Sequence, residues 1–559
     1  MQLRHKFALA QAILWISLSP LTSWGSLAQA QVAQAVDQLL ADWNQPGSPG
    51  AAVAITHNGH VVYRQGYGLA NLEHGIPIAF DTPFELASVS KQFTALAVFL
   101  LESEGRLSLD DPLQKSMPEV PDYGSAIKIR HLIYHTSGLP EYLTMARFAG
   151  FEGSDVIAFD DLIAMLQHWE GLYFTPGSRW RYSNTNYALL AEIVARVTGE
   201  TFPEWMEENV FGPLQMHGTF IQSSALQVIP GRADGYRQQE GEFVIGREML
   251  GDFPGPAHAY STIDDMVKWL ENFRSMTVGG ADVMQRMVQS GTGSQRGYAG
   301  GLYTLEYRGI TTLSHSGVGG GFRTNVTYSP DADVGVVVLA NVGSIEPNGL
   351  ALRILDVYLG SQLEPIPEAT ASDEPPYIEL EPSSYEVYAG RYVIEGAGIG
   401  AALWREGDQL MGAMEGLGVG RLYAISETEF RSDDDSVRIT FFPGEEGRAR
   451  RAQIVVGDQH LWATRVETTA GAADEKEYAG LYYSDELGTV YELVATTGEV
   501  SLRHRRIGDV QLHPLASDQL AGRLGILRFF RDDEEHIQGF TLNDELLPDR
   551  GLRFRRLGE

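Results

Sequence analysis

The amino-acid sequence predicts an α+β domain followed by two small antiparallel β domains. Strand-like segments occur near both ends of the first domain and helical segments lie between them, which indicates that the terminal strands share one sheet. After a linker at 363–383, rich in proline and acidic residues, the motif YAGRY at Tyr388 recurs as YAGLY at Tyr478. Short segments that alternate apolar and polar residues follow each copy, so we place the β domains at 384–468 and 473–559.

The chain begins with the features of an export signal over residues 1–30. Arg4 and Lys6 give a basic start, an apolar run covers 7–20, and small residues at 28–30 form a cleavage site. No later segment reaches the roughly 18 consecutive apolar residues that a membrane helix requires. We therefore expect a periplasmic or secreted protein that does not insert into the membrane once the signal is removed. The absence of cysteine excludes disulfides, thiolate catalysis and a lipid-modified N-terminal cysteine.

The chain is strongly acidic. Its formal net charge is −31, and loss of Arg4 and Lys6 with the signal brings it to −33. A protein of this charge is repelled by nucleic acids and by anionic lipids. The short basic runs at 448–451 and 503–506 lie in acidic surroundings and are typical of solvated faces. We therefore expect no nucleic-acid partner.

The first domain, 31–362, shows both strand and helix patterns. It opens with two strand-like segments around an Asn-Gly turn at Asn58. Helical spacing of apolar residues follows over 88–104 and 186–197. Four strand-like segments in succession, from YAGGLYTLEY to DVGVVVLANVG, and a helical segment at 351–359 complete the domain.

The stretch FELASVSKQFTAL holds a candidate nucleophile and base. Helical spacing places Ser88 at a helix start and Lys91 three residues later on the same face, within reach of the Ser88 hydroxyl. The free backbone N–H groups of a helix start can also stabilise an oxyanion. Ser-x-x-Lys nevertheless occurs about once by chance in a chain of this length. A second copy, at Ser125, leads into IKIRHLI, where no helix presents Lys128.

Two further motifs strengthen the catalytic interpretation. Tyr182 in YSN can shuttle protons, and the Asn184 amide can hold a substrate carbonyl; the alternative is a core tyrosine beside a helix cap. In HSGV, His315 lies at a strand end, Gly317 leaves room for an extended substrate, and the Val318 N–H completes an oxyanion hole. A lone histidine on a strand is otherwise more often structural. The presence of all three motifs in this order favours catalysis.

In this order the motifs resemble those of the penicillin-recognising serine hydrolases, which include class C β-lactamases, DD-peptidases, esterases and D-aminopeptidases. The segment IRHLIYHTSGLP is also similar to one that recurs in the family. The resemblance implies a β-lactamase/transpeptidase-like fold, an antiparallel sheet flanked by helices. The His-x-Gly variant is most similar to D-aminopeptidase, in which two lipocalin-like eight-stranded barrels follow the catalytic domain. The resemblance therefore implies two β-barrels here, and a homodimer.

The departures from the family pattern bear on the substrate. The chain has no Lys-Thr-Gly, and His315 is mostly neutral at pH 7, which argues against efficient β-lactamase or carboxypeptidase activity. His131 and His135 are four residues apart but lack the glutamate of His-Glu-x-x-His, so no metal site is predicted. No phosphate-binding or dinucleotide-binding motif is present, and no cofactor is implied.

We expect a serine hydrolase that works through an acyl-enzyme. Lys91 and Tyr182 activate Ser88, the backbone N–H groups of Ser88 and Val318 hold the oxyanion, and water releases the acyl group. The substrate is a small peptide, amide or ester, and the D-aminopeptidase likeness implies removal of N-terminal residues. The alternatives are an esterase, a weak class C-like β-lactamase or DD-carboxypeptidase, and a catalytically silent binding or sensor protein.

Overall fold

The computed structural model describes residues 21–558 apart from 154, 247–249, 292–296, 366–376, 396–398, 415–417, 434–435, 445–447, 457–458, 467–474, 497–498, 545–546 and 548–549. Residues 1–20 of the predicted signal lie outside this range, as does much of the predicted linker. The predicted cleavage site at 28–30 lies within a helix, Leu21–Leu39. Among the described residues, no helix has the length and apolarity to cross a membrane.

Among the described residues, all α-helices precede the predicted linker. They are α1 (Leu21–Leu39), α2 (Lys91–Ser103), α3 (Ile129–Ile133), α4 (Tyr142–Phe148), α5 (Phe159–His168), α6 (Asn184–Thr198), α7 (Phe202–Met206), α8 (Ile263–Ser275), α9 (Gly280–Val288) and α10 (Pro347–Leu359). The predicted helical segments correspond to α2, α6 and α10. A π-helical turn, Glu207–Phe211, continues α7.

The strands of the first domain are β1 (Ala51–His57), β2 (His60–Tyr67), β3 (Leu69–Asn71), β4 (Ile76–Pro77), β5 (Phe84–Glu85), β6 (Val156–Ile157), β7 (Phe220–Ile221), β8 (Tyr236–Gln239), β9 (Glu242–Ile245), β10 (Leu250–Gly251), β11 (Ala259–Ser261), β12 (Tyr303–Tyr307), β13 (Ile310–Gly319), β14 (Phe322–Ser329) and β15 (Val334–Ala340). Six of them form an antiparallel sheet in the order β12-β13-β14-β15-β1-β2. The N-terminal strand β1 pairs with the C-terminal strand β15, so the predicted sharing of one sheet by both ends is confirmed.

Helices cover both faces of this sheet. Because successive side chains of a strand point to opposite faces, β1 contributes Val53 to one apolar core and Ala54 to another. The first core contains Ile354 of α10, and the second contains Trp269 of α8. The Asn-Gly turn between β1 and β2 has φ +51° at Asn58, the left-handed conformation that such hairpins require. The predicted hairpin and the α+β class are confirmed.

Two closed antiparallel barrels of eight strands follow. The first consists of β16 (Gly390–Ile394), β17 (Gly400–Glu406), β18 (Gln409–Met414), β19 (Gly418–Ala424), β20 (Glu429–Ser432), β21 (Val437–Pro443), β22 (Ala449–Val456) and β23 (Gln459–Val466). The second consists of β24 (Gly480–Ser484), β25 (Thr489–Thr496), β26 (Glu499–His504), β27 (Gly508–Ala516), β28 (Gln519–Gly522), β29 (Gly525–Arg531), β30 (Ile537–Asn543) and β31 (Leu552–Arg556). The barrels implied by the resemblance are therefore confirmed.

The repeated YAG motif forms the same local structure in both barrels. In the first, the Tyr392 hydroxyl donates to the carbonyl of Tyr388 at 2.9 Å. In the second, the Tyr482 hydroxyl donates to the carbonyl of Tyr478 at 2.8 Å. Tyr392 and Tyr482 are both fully buried, so each fills the interior of its barrel. The repeat in sequence therefore reflects a repeat in packing.

The second barrel packs against the first domain. The buried Tyr491 hydroxyl donates to the carbonyl of Phe148 at the end of α4, at 2.8 Å. The Arg506 guanidinium pairs with Asp155 at 2.5 Å. A Cβ on Gly150 would lie 2.1 Å from the His504 ring, so this close contact requires glycine. The barrel thus contacts the segment that follows α4.

Candidate active site

The candidate nucleophile lies on a tight turn that leads into α2. Ser88 belongs to a 3-10 turn, Ala87–Ser90, and the α-helix begins only at Lys91. Ala87 has φ +46°, which a residue with a side chain adopts at an energetic cost. The predicted start of the α-helix at Ser88 is therefore three residues early, because the chain first makes this turn.

Neighbouring segments anchor the turn on both sides. The Leu86 N–H donates to the carbonyl of Ala259 at 2.8 Å. The Thr324 hydroxyl of β14 donates to the carbonyl of Leu86 at 2.7 Å. Ser88 itself is partly exposed, while its neighbours Val89 and Ser90 are buried. The turn therefore presents one hydroxyl at the surface of the domain on a backbone that is held in place.

Ser88 is close to both predicted activating groups. Its Oγ lies 3.1 Å from Lys91 Nζ and 2.9 Å from the Tyr182 hydroxyl. Tyr182 is distant in sequence and lies just before α6, so the fold brings two motifs to one atom. In the second Ser-x-x-Lys, the Lys128 ammonium pairs with Asp110 at 2.9 Å. The backbone of Lys128 is extended, and the residue lies just before α3. The Lys91 amine thus contacts Ser88, whereas the Lys128 ammonium pairs with an acidic residue, and Ser88 stays the predicted nucleophile.

The Lys91 amine is fully buried and has three hydrogen-bond partners. Besides Ser88, its Nζ lies 2.8 Å from Asn184 Oδ1 and 2.8 Å from the carbonyl of Pro256. A neutral amine has two N–H donors and one lone pair. The two carbonyl-type oxygens can only accept, so they take both donors and leave the lone pair facing the Ser88 hydroxyl. The geometry is that of a base poised to take the Ser88 proton.

The pKa values of Lys91 and Tyr182 bear on the roles predicted for them. Burial lowers the pKa of Lys91 to about 7, and the charge of Glu141 opposes this fall. Burial raises the pKa of Tyr182 well above its ordinary value, although its hydrogen bond to Ser88 opposes the rise. Near neutral pH Lys91 is therefore available as a base, while Tyr182 remains a phenol that can donate a proton.

His315 is buried and neutral beside this network. Its Nδ1 lies 2.7 Å from the carbonyl of Ser316, which can only accept, so this nitrogen carries the proton. Its Nε2 lies 3.3 Å from the hydroxyl of Tyr298, and its ring centroid is 6.2 Å from that of Tyr182. Burial and the nearby Lys91 lower the pKa of His315 to about 3. The third motif therefore contributes no fixed cation.

Gly317 lies close to the turn that carries Ser88. A Cβ at this position would lie 2.1 Å from the Leu86 carbonyl and 2.2 Å from Thr324 Oγ1. The missing side chain therefore allows β13 to approach the turn that carries Ser88. The predicted role of Gly317, room for an extended substrate, stays a prediction. The next residue, Val318, is 56% exposed. Its backbone N–H stays a predicted oxyanion donor.

Comparison with known proteins identifies the family. Residues 32–358 match a family model described as Beta-lactamase. The chain belongs to the β-lactamase family. A penicillin-binding protein of Bacillus subtilis (strain 168) is 28% identical over 416 residues, covering 70% of this chain and 90% of that protein. Protein flp of Staphylococcus aureus (strain MW2) is 28% identical over 327 residues, covering 56% of this chain and 63% of that protein.

The fold of this β-lactamase-family protein also matches a solved structure. An octameric penicillin-binding protein homologue from Pyrococcus abyssi superposes with a TM-score of 0.52 and 23% identity, covering 80% of this chain and 100% of that one. The family and the likeness to penicillin-binding proteins confirm the predicted penicillin-recognising serine hydrolase family and its β-lactamase/transpeptidase-like fold. The protein is a β-lactamase-fold serine hydrolase related to penicillin-binding proteins.

Sequence reasoning missed two residues of this β-lactamase-family site. Glu141 binds both the backbone and the side chain of Asn184. His135 is fully buried, and its Nδ1 accepts from the Ser183 N–H at 3.2 Å, directly after Tyr182. Both lie in or just after the segment IRHLIYHTSGLP, which the resemblance singled out without assigning roles. His131 instead accepts from the Lys128 N–H at the start of α3.

Proposed function

We propose that the protein is an exported hydrolase that forms an acyl-enzyme on Ser88 and removes N-terminal residues from short peptides or amides, as D-aminopeptidases do. The observation that carries the proposal is the position of Ser88 Oγ, within hydrogen-bond distance of both Lys91 Nζ and the Tyr182 hydroxyl. These two contacts supply a base and an acid at the same oxygen.

The reaction follows from the roles of the two groups. Ser88 Oγ attacks the substrate carbonyl and passes its proton to the neutral amine of Lys91. Tyr182 donates its phenolic proton to the leaving nitrogen as the C–N bond breaks, and the Lys91 ammonium restores that proton. Water then attacks the ester by the reverse sequence and frees Ser88.

Because His315 in the third motif is neutral, the site favours substrates that are not recognised through a terminal carboxylate. A charge-assisted contact with a carboxylate is worth about 1.5–3 kcal/mol, and a buried neutral His315 forgoes it. The net charge of −31 attracts cations, including a free α-amino group. Together these features favour a substrate recognised at its N-terminus. They fit an esterase equally well, and they fit a weak β-lactamase or DD-carboxypeptidase less well.

A covalent probe and a peptide panel test the proposal. We expect a fluorophosphonate to label Ser88, Ser88→Ala to abolish both labelling and turnover, and the control Ser125→Ala to retain both. Failure of the wild-type protein to react would favour the silent binding protein. For one short peptide with each end free or blocked, we expect N-acylation to abolish hydrolysis and C-terminal amidation to be tolerated. Preference for a free carboxylate would overturn the aminopeptidase proposal, and cleavage of esters alone would favour the esterase.

Export and a homodimer complete the proposal. Export rests on the basic and apolar start of the chain, with cleavage after the small residues at 28–30. We expect the secreted or periplasmic form to begin near Gln31. N-terminal sequencing of that form tests this point, and sedimentation of the purified protein tests the homodimer. Recovery of the full-length chain from the cytoplasm would overturn export.

A further inference from the structure

The carboxylate of Glu141 contacts Asn184, which in turn contacts Lys91. Glu141 precedes α4, and its Oε1 accepts from the Leu143 N–H at 3.4 Å. The same oxygen accepts from Asn184 Nδ2 at 3.1 Å, and Oε2 accepts from the Asn184 backbone N–H at the start of α6. One side chain therefore holds Asn184 at two points.

This arrangement fixes the orientation of the Asn184 amide. Burial raises the pKa of the Glu141 carboxyl, and its hydrogen bonds from Asn184 and Leu143 oppose the rise. The ionised carboxylate can only accept hydrogen bonds, so the amide nitrogen faces Glu141. The amide oxygen then faces Lys91 Nζ, 2.8 Å away. The hydrogen bonds form a chain from Glu141 through Asn184 and Lys91 to Ser88. In this chain a third group orients the base of an activated nucleophile.

Glu141 is also the anion that acts on Lys91. The other titratable groups facing the amine are His135, His315, Tyr182 and Tyr187. Burial lowers the pKa of both histidines and raises the pKa of both tyrosines, so all four are uncharged near neutral pH. The charge of Glu141 favours the protonated amine and opposes the effect of burial on the pKa of Lys91.

We propose that Glu141 is a positioning residue of this active site: it acts on Lys91 through Asn184, holding the amine toward Ser88 and supplying the nearby negative charge. The proposal rests on the proposed roles of Ser88 and Lys91. A purely structural alternative is that Glu141 serves as a helix cap alone. The two roles differ in what they do to the pH dependence of Ser88.

The experiment measures the rate at which a fluorophosphonate labels Ser88 between pH 5 and pH 9. In Glu141→Gln we expect the acid limb of this profile to move down by about one pH unit, because loss of a nearby anion lowers the pKa of the base. We expect the plateau rate to fall tenfold or more, since the amide is less well held. Glu141→Asp keeps the charge, so its acid limb should stay within about 0.3 units of wild type while its rate falls.

Glu346→Gln is the matched control. Glu346 caps α10 by accepting from the Asn348 N–H at 3.1 Å and also from the Gly349 N–H, so its substitution reproduces the loss of a cap without touching the network. We expect it to lower the melting temperature and leave the pH profile unchanged.

The outcomes separate the two proposals. If wild-type Ser88 is not labelled, the proposed function fails, and the role of Glu141 fails with it. If wild type is labelled and Glu141→Gln has the wild-type acid limb, Glu141 is only a cap and the present inference is overturned. If Glu141→Gln does not fold, the plateau rate of Glu141→Asp decides the question: a lowered rate supports the positioning role, and a wild-type rate shows that Glu141 is only a cap and overturns the inference.

Discussion

Replacing Lys91 with methionine should separate stability from activity in a pH-dependent way. Methionine retains an apolar stem of similar length and removes the amine, which is fully buried. The ordinary pKa of the side chain is 10.5 and its folded value is about 7. Between these values the unfolded chain binds one more proton than the folded protein, so folding loses stability as the pH falls from 10.5 toward 7. Below pH 7 this loss is constant.

The size of the effect follows from the two values. The fall in the pKa of Lys91 from 10.5 to about 7 corresponds to a penalty of about 5 kcal/mol on the unfolding free energy below pH 7. Near pH 9.5 only a small part of this penalty applies, and near pH 6.5 nearly all of it applies. Lys91→Met abolishes the penalty and also leaves Asn184 Oδ1 and the Pro256 carbonyl without this donor, a cost that does not depend on pH. Relative to wild type, the variant should therefore gain about 3 kcal/mol between pH 9.5 and pH 6.5.

Urea unfolding at these two pH values measures the gain. The buried Trp205 and Trp269 report the catalytic domain by fluorescence. Lys115→Met is the control, since Lys115 pairs with Asp111 at the surface and its side chain is 59% exposed. We expect the stability of the control, relative to wild type, to show no comparable pH dependence. For Lys91→Met we also expect kcat/KM to be at least a hundredfold lower than for wild type. A stability difference that is equal at both pH values would refute the burial argument, and activity within tenfold of wild type would refute the role of base.

Three further substitutions test other parts of the structure. Tyr182→Phe removes the proton donor 2.9 Å from Ser88 Oγ. We therefore expect kcat on an amide to fall about 10²–10⁴-fold and kcat on an activated ester to fall much less. Equal losses on the two substrates would contradict the role of Tyr182 as an acid. Gly317→Ala places a Cβ 2.1 Å from the Leu86 carbonyl, so thermal unfolding should show a loss of about 1–3 kcal/mol of stability. The control Gly343→Ala, whose Cβ has its nearest neighbours at 3.5 Å, should leave the stability nearly unchanged. Tyr491→Phe removes the hydrogen bond to the Phe148 carbonyl and should lower the unfolding free energy by about 1 kcal/mol; an unchanged value would show that this contact does not stabilise the docking of the second barrel.

The features that the sequence predicted correctly depend on local spacing or on residue type. Ser88 and Lys91 are three residues apart, and that spacing brings their side chains together in the 3-10 turn and the helix start that follows it. The YAG repeat predicted two similar β domains, because each copy places a tyrosine in the interior of its own barrel. The neutral state of His315 followed from its residue type, and burial lowers its pKa further.

Other features required the tertiary structure because they depend on atoms far apart in the chain. The pKa of Lys91 near 7 arises from complete burial, which no short segment determines. The close approach of Gly317 to the Leu86 carbonyl joins two segments that are far apart in the chain, so no local pattern indicates it. Glu141 belongs to no catalytic motif, and only the fold brings its carboxylate to the start of α6. Sequence thus specified the reacting groups, whereas desolvation and long-range contacts decided their protonation and orientation.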